Sequence, residues 1–307
     1  MNAAAAEIKA CCAAAYGSDA IRWLLGDRLH PGGAALSGQL IDALTVRPGA
    51  LVADVACGPG VSALHAAERT GCQVVGVDLS PACIERARKA ARAAGLDRRA
   101  CFVVGDAERL PLADSSVDGV LCECALCTFP DKTAAAAELA RVLRPGGKLA
   151  LSDMTADRNR LPHALRSLDG WIACLSDARP LGEIAALLAD AGLEVIVCER
   201  RDEALHAIVD RADGRLRLAR GLGAGGPPQL AGSIERALTI VNAAREAIAD
   251  RALGYGTIVA QKPRRVIESA VPVTQRGLFV VTAGTVPPTR LKASRWLGFG
   301  AGCGQPG

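Results

Sequence analysis

Two hydrophobic rhythms alternate along this chain. Apolar residues at helical spacing cover 3–15, 19–25 and 34–45, with the HPGG turn (30–33) between the last two. A short apolar run, LVADV (51–55), then ends in CGPG. From there the period switches back and forth. A helix is predicted over 60–69, a strand over 73–77 (QVVGV), a helix over 81–94 and a strand over 101–104 (CFVV). A strand at 117–122 (VDGVLC), a helix at 132–143, a turn at RPGG (144–147) and a strand at 148–152 (KLALS) follow. Strands alternating with helices of this length predict right-handed βαβ units, and so a doubly wound, mostly parallel sheet. Further on, a helix over 181–191 stops at Gly192 and leads into a strand over 193–198 (LEVIVC). Amphipathic helices near 202–219 and 233–251 flank a GLGAGGPP linker (221–228), and a last strand covers 255–261 (YGTIVAQ). Residues 264–307 mix Pro, Gly and Arg and are expected to form a poorly packed tail.

Composition narrows the class. Half of the 307 residues are apolar and 22% are charged, as in a globular protein with a well-buried core. Thirty-six basic against 32 acidic residues give +4, spread along the chain, which argues against nucleic acid or a membrane surface as partner. No apolar run reaches the roughly 18 residues that a bilayer span needs. The opening MNAAAAEIKACC carries Glu7 and Lys9 and lacks a signal peptide's long apolar core, so a cytoplasmic location is expected. The twelve cysteines are then expected to be thiols rather than a disulfide framework.

Candidate chemistry begins at VADVACGPG (52–60), a strand followed by a tight turn into a helix. Gly58 and Gly60 let backbone approach a ligand and open the helix N-terminus. Asp78 closes the second strand, 18 residues after Gly60, where a carboxylate can accept both ribose hydroxyls of a nucleoside cofactor. Asp106, in GDAERLP (105–111), follows the third strand, where an adenine amino group could be read with Leu110 packed nearby. The turn reads ACGPGV and lacks the third glycine of GxGxxG, which disfavours NAD or FAD.

These features, DVACGPG (54–60), Val77-Asp78, GDA (105–107) and LRPGG (143–147), resemble in order and spacing the motifs of class I S-adenosylmethionine-dependent methyltransferases, of the methyltransferase type 11 kind, over about residues 50–155. The strand at 255–261 is similar to that family's seventh, antiparallel strand. One departure is Ala56, where many members carry the first glycine of the turn. The resemblance implies a Rossmann-like, seven-stranded α/β fold and S-adenosyl-L-methionine as cofactor. It places Asp78 at the ribose, Asp106 with Ala107 at the adenine, Gly58 and Gly60 behind the methionine portion, and Asp54 at the amino group. Ala56, Cys57, Leu79 and Glu123 complete the candidate cofactor-binding set.

LCECALCTFPDK (121–132) holds three thiols whose role depends on this frame. In the family's strand order the strand ending at Cys122 lies beside the one ending at Ala56. That puts Cys124 and Cys127 near Cys57 and the sulfonium, and Cys122 and Cys124 on one face if the strand extends that far. Inert core packing and a zinc clip are the rival readings. The zinc clip is disfavoured, since a strand running into a helix rarely presents thiolates tetrahedrally and no His is close. The vicinal pair Cys11-Cys12 and Cys174, within SDMTADRNRLP…WIACLSDARPLGEIAALLADAGL, resemble the corresponding parts of arsenite methyltransferases. That resemblance implies Cys174 and one of Cys11 or Cys12 as thiolate ligands of trivalent arsenic. Cys198 finds no firm counterpart in that family and is expected to point into the core. A soft As(III) lone pair needs no base to attack a sulfonium methyl.

The expected layout is an N-terminal helical cap (1–48), the S-adenosylmethionine-binding domain (49–200), C-terminal helices with the last strand (201–263) and the tail (264–307). The expected function is methyl transfer to a small acceptor, with trivalent arsenic leading and a thiol reductant as partner. The alternatives are O-, N- or C-methylation of a small organic metabolite, with Glu123, Asp153 or His163 as candidate bases, and a non-catalytic metalloid sensor; His30, in LHPGG, is expected to serve the turn rather than to act as a base. No resident metal is expected.

Overall fold

The computed structural model describes residues 3–26, 28–166, 175, 177–221 and 234–264. The tail beyond 264 and most of the predicted linker lie outside them. Three helices open the chain: α1 (Ala3–Tyr16), α2 (Asp19–Leu25) and α3 (Gly33–Leu44). The alternating part follows as β1 (Leu51–Val55), α4 (Val61–Thr70), β2 (Gln73–Asp78), α5 (Pro81–Ala93), β3 (Ala100–Val104), β4 (Val117–Glu123), α6 (Lys132–Val142) and β5 (Leu143–Ala156). Then come α7 (Leu181–Asp190), β6 (Glu194–Arg200), α8 (Asp202–Gly221), α9 (Ile234–Ala249) and β7 (Leu253–Gln261).

The seven strands form one sheet in the order β3-β2-β1-β4-β5-β7-β6. All pairs are parallel except those of β7, which runs antiparallel to both neighbours. The order reverses between β1 and β4, so their C-terminal ends open a crevice there, the usual ligand site of such sheets. Helices cover both faces. One core layer joins Val52, Leu121 and Ala150 to α3, α4, α5 and α9; the other joins Ala53, Val120 and Leu149 to α6 and α7. The two layers alternate along each strand, as the period of two requires. Ala63, Ala66 and Ala67 give α4 a buried stripe of small side chains at i, i+3, i+4, so helix and sheet approach closely. Ser80 caps α5, accepting from the Cys83 N–H at 3.4 Å, and Pro81 fills its first turn. No helix among the described residues is long and apolar enough to cross a membrane.

Two expectations change. The predicted RPGG turn is absorbed into β5: Leu143 pairs with Val117, then the register shifts so that Lys148 pairs with Gly119. Gly146 takes φ 85° inside this irregularity and donates its N–H to the Lys262 carbonyl at 2.7 Å, so the segment gains a strand partner the local sequence does not announce. Cys198 was expected to face the core; it is exposed, because β6 is the edge strand.

Gly60 is tightly specified. Its φ is +80°, and a Cβ there would stand 2.8 Å from both the Ala87 Cβ and the Phe102 ring. Gly60→Ala is expected to destabilise the protein by about 2–4 kcal/mol, adding left-handed backbone strain to overpacking. An unchanged denaturation midpoint would contradict this packing.

Candidate functional site

A cleft of about 1040 Å³, mouth included, opens at the switch point between β1 and β4. The turn after β1 forms its floor. Ala56 and Gly58 adopt positive φ, 58° and 53°, and the Gly60 N–H closes the turn on the Cys57 carbonyl at 2.9 Å. Asp78 fastens this turn: its carboxylate accepts the Gly58 N–H and the Ser80 N–H, each at 2.8 Å. One side chain thus fixes both the glycine turn and the entry to α5, and each of its oxygens keeps a further lone pair.

Three carboxylates, Asp54, Asp78 and Glu123, line the same space. Asp54 is almost fully buried, and burial raises its pKa well above the carboxylate range. The charges of Glu123 and Asp78 raise it further, against the Ala63 N–H at the start of α4. Burial likewise raises Asp78, opposed by its two N–H donors. Asp54 Oδ2 and Glu123 Oε2 are buried and make no hydrogen bond. Two orphaned carboxylate oxygens beside one cavity mark a place prepared for a cation with N–H donors.

At the other end, Asp106 and Ala107 line the cleft beside Leu79. Lys9 of α1 reaches across to Asp106 Oδ2 at 2.6 Å and also to Glu108, tying the N-terminal helices to the loop after β3. This partner was not foreseen: an isolated Lys in an alanine-rich helix gives no sign of which acid it will meet. Gly60 is not among the cleft walls; its place is the helix–sheet contact described above.

The HPGG turn contributes a second group that sequence reasoning undervalued. His30 lines the cleft, its Nδ1 3.0 Å from the Pro31 carbonyl and its Nε2 3.3 Å from Ser37 Oγ and 3.7 Å from Glu123 Oε1. A carbonyl only accepts, so Nδ1 donates to Pro31, and Nε2 faces Ser37 and Glu123. The Ser37 hydroxyl donates to Glu123 Oε1 at 2.9 Å. Asp153, by contrast, is spent on structure: it accepts the Cys127 and Met154 N–H groups at 2.8 and 2.7 Å. His163 is exposed and lines no described cavity.

The thiols separate. Cys124 has φ 53° just past the end of β4, which breaks the alternation, so it does not share a face with Cys122 as expected. Cys122 is wholly buried against α6, while Cys124 packs on the opposite core layer and lines the cleft. Cys127 is buried away from the cleft walls. Cys57 contributes to the floor, yet its sulfur sits where a Cβ on Gly76 would meet it at 2.9 Å, turned toward the strand layer. Burial, then the Asp54 and Asp78 charges, keep its thiol protonated. Cys12 lines the cleft; Cys11 does not. Cys174 lies outside the described residues. Among the described residues no group of three His, Cys, Asp or Glu could hold a metal ion.

A parallel sheet with an antiparallel β7 in this order, a glycine turn after β1 and acids ending β2 and β3 define the class I S-adenosylmethionine-dependent methyltransferase architecture. Comparison with known proteins agrees. The methyltransferase domain family matches residues 53–151. The chain is 37% identical to methyltransferase GfsG of Streptomyces halstedii, over 55% of this chain and 62% of that protein. It is 32% identical to arsenite methyltransferase of Halobacterium salinarum, over 53% of this chain and 42% of that protein. It is 33% identical to 27-O-demethylrifamycin SV methyltransferase of Amycolatopsis mediterranei, over 58% of this chain and 70% of that protein. The matches thus span between less than half and about two thirds of these relatives. Among solved structures, phosphoethanolamine N-methyltransferase 2 of Haemonchus contortus, in complex with S-adenosyl-L-methionine, shares the fold at a TM-score of 0.67 and 21% identity, over 80% of this chain and 56% of that one. The chain belongs to the S-adenosylmethionine-dependent methyltransferases.

Proposed function

We propose that this protein transfers the methyl group of S-adenosylmethionine to a small organic acceptor. The observation that carries the reading is the pair of orphaned buried oxygens on Asp54 and Glu123 beside Asp78, a negative pocket that suits a ligand bearing an ammonium and a sulfonium. Bound there, the donor would supply an electrophilic methyl group. Asp54 and Glu123 take the amino group, Gly58 backs the methionine portion through its backbone, and Asp78 accepts from the ribose. Leu79, Asp106 and Ala107 surround the adenine, with Lys9 sharing Asp106. His30 Nε2, backed by Glu123, receives the acceptor's proton.

A second reading, methylation of trivalent arsenic, is favoured by Cys12 and Cys124 facing the same cleft and by the arsenite methyltransferase among the relatives. It requires a further thiolate such as Cys174 and a thiol reductant, and it leaves His30 without a part. A turnover assay with methyl-labelled donor against As(III)-glutathione and a panel of hydroxylated metabolites, read by mass spectrometry, separates the two. If calorimetry detects no binding of S-adenosylhomocysteine, both fail.

Asp54→Asn tests the pocket in two directions. It is expected to weaken S-adenosylhomocysteine binding by about 10- to 100-fold, the worth of a charged hydrogen bond of roughly 1.5–3 kcal/mol. The ligand-free protein should gain stability. The folded pKa of Asp54 lies above its unfolded value, so the folded protein binds that proton more tightly. The penalty for ionising it is absent below the unfolded pKa, grows as pH rises between the two values and is complete above the folded one. The variant should therefore melt higher than the parent near neutral pH, and the gap should close on acidification. A variant that melts lower at every pH contradicts the assignment.

A further inference from the structure

A second cavity of about 1270 Å³, mouth included, lies against the first, between α2, α8, α9 and the ends of β5 and β7. Side chains such as Leu24, Leu205, Ile208, Ile240, Val241 and Met154 line it. Exposed Arg236 is the one charged residue among its described walls. Only Tyr16, Leu29 and Cys124 belong to the walls of both spaces, so a partition one side chain thick separates the apolar cavity from the donor cleft. Tyr16 and Cys124 are the partition residues with a polar side-chain group, and Leu29 is followed directly by His30.

From this geometry we infer that the methyl acceptor is an amphipathic organic molecule. Its hydrocarbon body fills the apolar cavity, and its polar, nucleophilic end passes the partition into the donor cleft. The inference rests on the donor reading above and names its substrate class. A cavity lined by aliphatic side chains gains little from a small metalloid complex. It gains from every methylene it removes from water. The polar end has to reach the sulfonium methyl past Cys124 and Tyr16, and those are the side chains able to hydrogen-bond on the way.

The test uses the full chain and para-alkylphenols from methyl to octyl, titrated calorimetrically with and without saturating S-adenosylhomocysteine. Affinity is expected to rise about three- to fourfold per added methylene until the cavity is full. Ala237→Phe, which fills the cavity from α9, should flatten the series while S-adenosylhomocysteine binds as in the parent. Ile240→Gln, at a half-buried position, serves as a second variant that keeps the size of the wall and removes its apolar character. A flat series in the parent, or an undiminished slope in both variants, overturns the inference while leaving the donor reading intact. Failure of S-adenosylhomocysteine to bind overturns the donor reading and the acceptor role with it. Turnover of As(III)-glutathione that the long alkylphenols do not inhibit also overturns it.

Discussion

Asp78→Ala is expected to lower the affinity for S-adenosylhomocysteine by about two to four orders of magnitude. Two hydrogen bonds from ribose hydroxyls to the Asp78 carboxylate would be lost, each worth roughly 1.5–3 kcal/mol. The same carboxylate holds the Gly58 and Ser80 N–H groups, so the alanine also releases the turn that forms the cleft floor. The two contributions can be told apart. Asp78→Asn keeps an acceptor oxygen and the size of the side chain, and should recover part of the stability while restoring little of the affinity. Calorimetric titration beside thermal melting reads both. If Asp78→Ala melts normally and binds the donor analogue as tightly as the parent, the cleft is not a donor site.

The second large effect concerns turnover. With an oxygen or nitrogen acceptor that loses a proton, His30→Ala should lower kcat by about 10²- to 10⁴-fold, the usual contribution of a positioned general base. Donor affinity should change little. Added imidazole should restore part of the rate, because the space vacated beside Glu123 and Ser37 accepts a free ring, and a purely structural histidine would show no such rescue. With trivalent arsenic as acceptor the same variant should keep its rate within a few-fold, since an arsenic lone pair carries no proton to remove. The single substitution therefore distinguishes the two acceptor chemistries.

Much of the scaffold is local and was legible in the chain. The strand–helix alternation, the positive-φ turn at CGPG, the Ser80-Pro81 start of α5 and the acids closing β2 and β3 each follow from period, turn chemistry or capping. Their positions in the cleft follow in turn from the parallel topology, which sends the C-terminal ends of β1 to β5 to one edge. The thiols were not legible in the same way. Cys122, Cys124 and Cys127 are neighbours in sequence, yet one positive φ sends Cys124 to a different layer from Cys122. Cys57 stands in the donor turn with its sulfur toward β2, because Gly76 leaves room there.

The sequence by itself determined the strand–helix alternation, the glycine turn after β1 and the acids that close β2 and β3, because period, turn chemistry and capping act within a few residues. Only the tertiary structure decided that Lys9 meets Asp106, that His30 stands beside Glu123, and that α2, α8 and α9 enclose an apolar space next to Cys124. Those pairings join segments up to about two hundred residues apart. Burial of their faces is a property of packing, which no local spacing encodes.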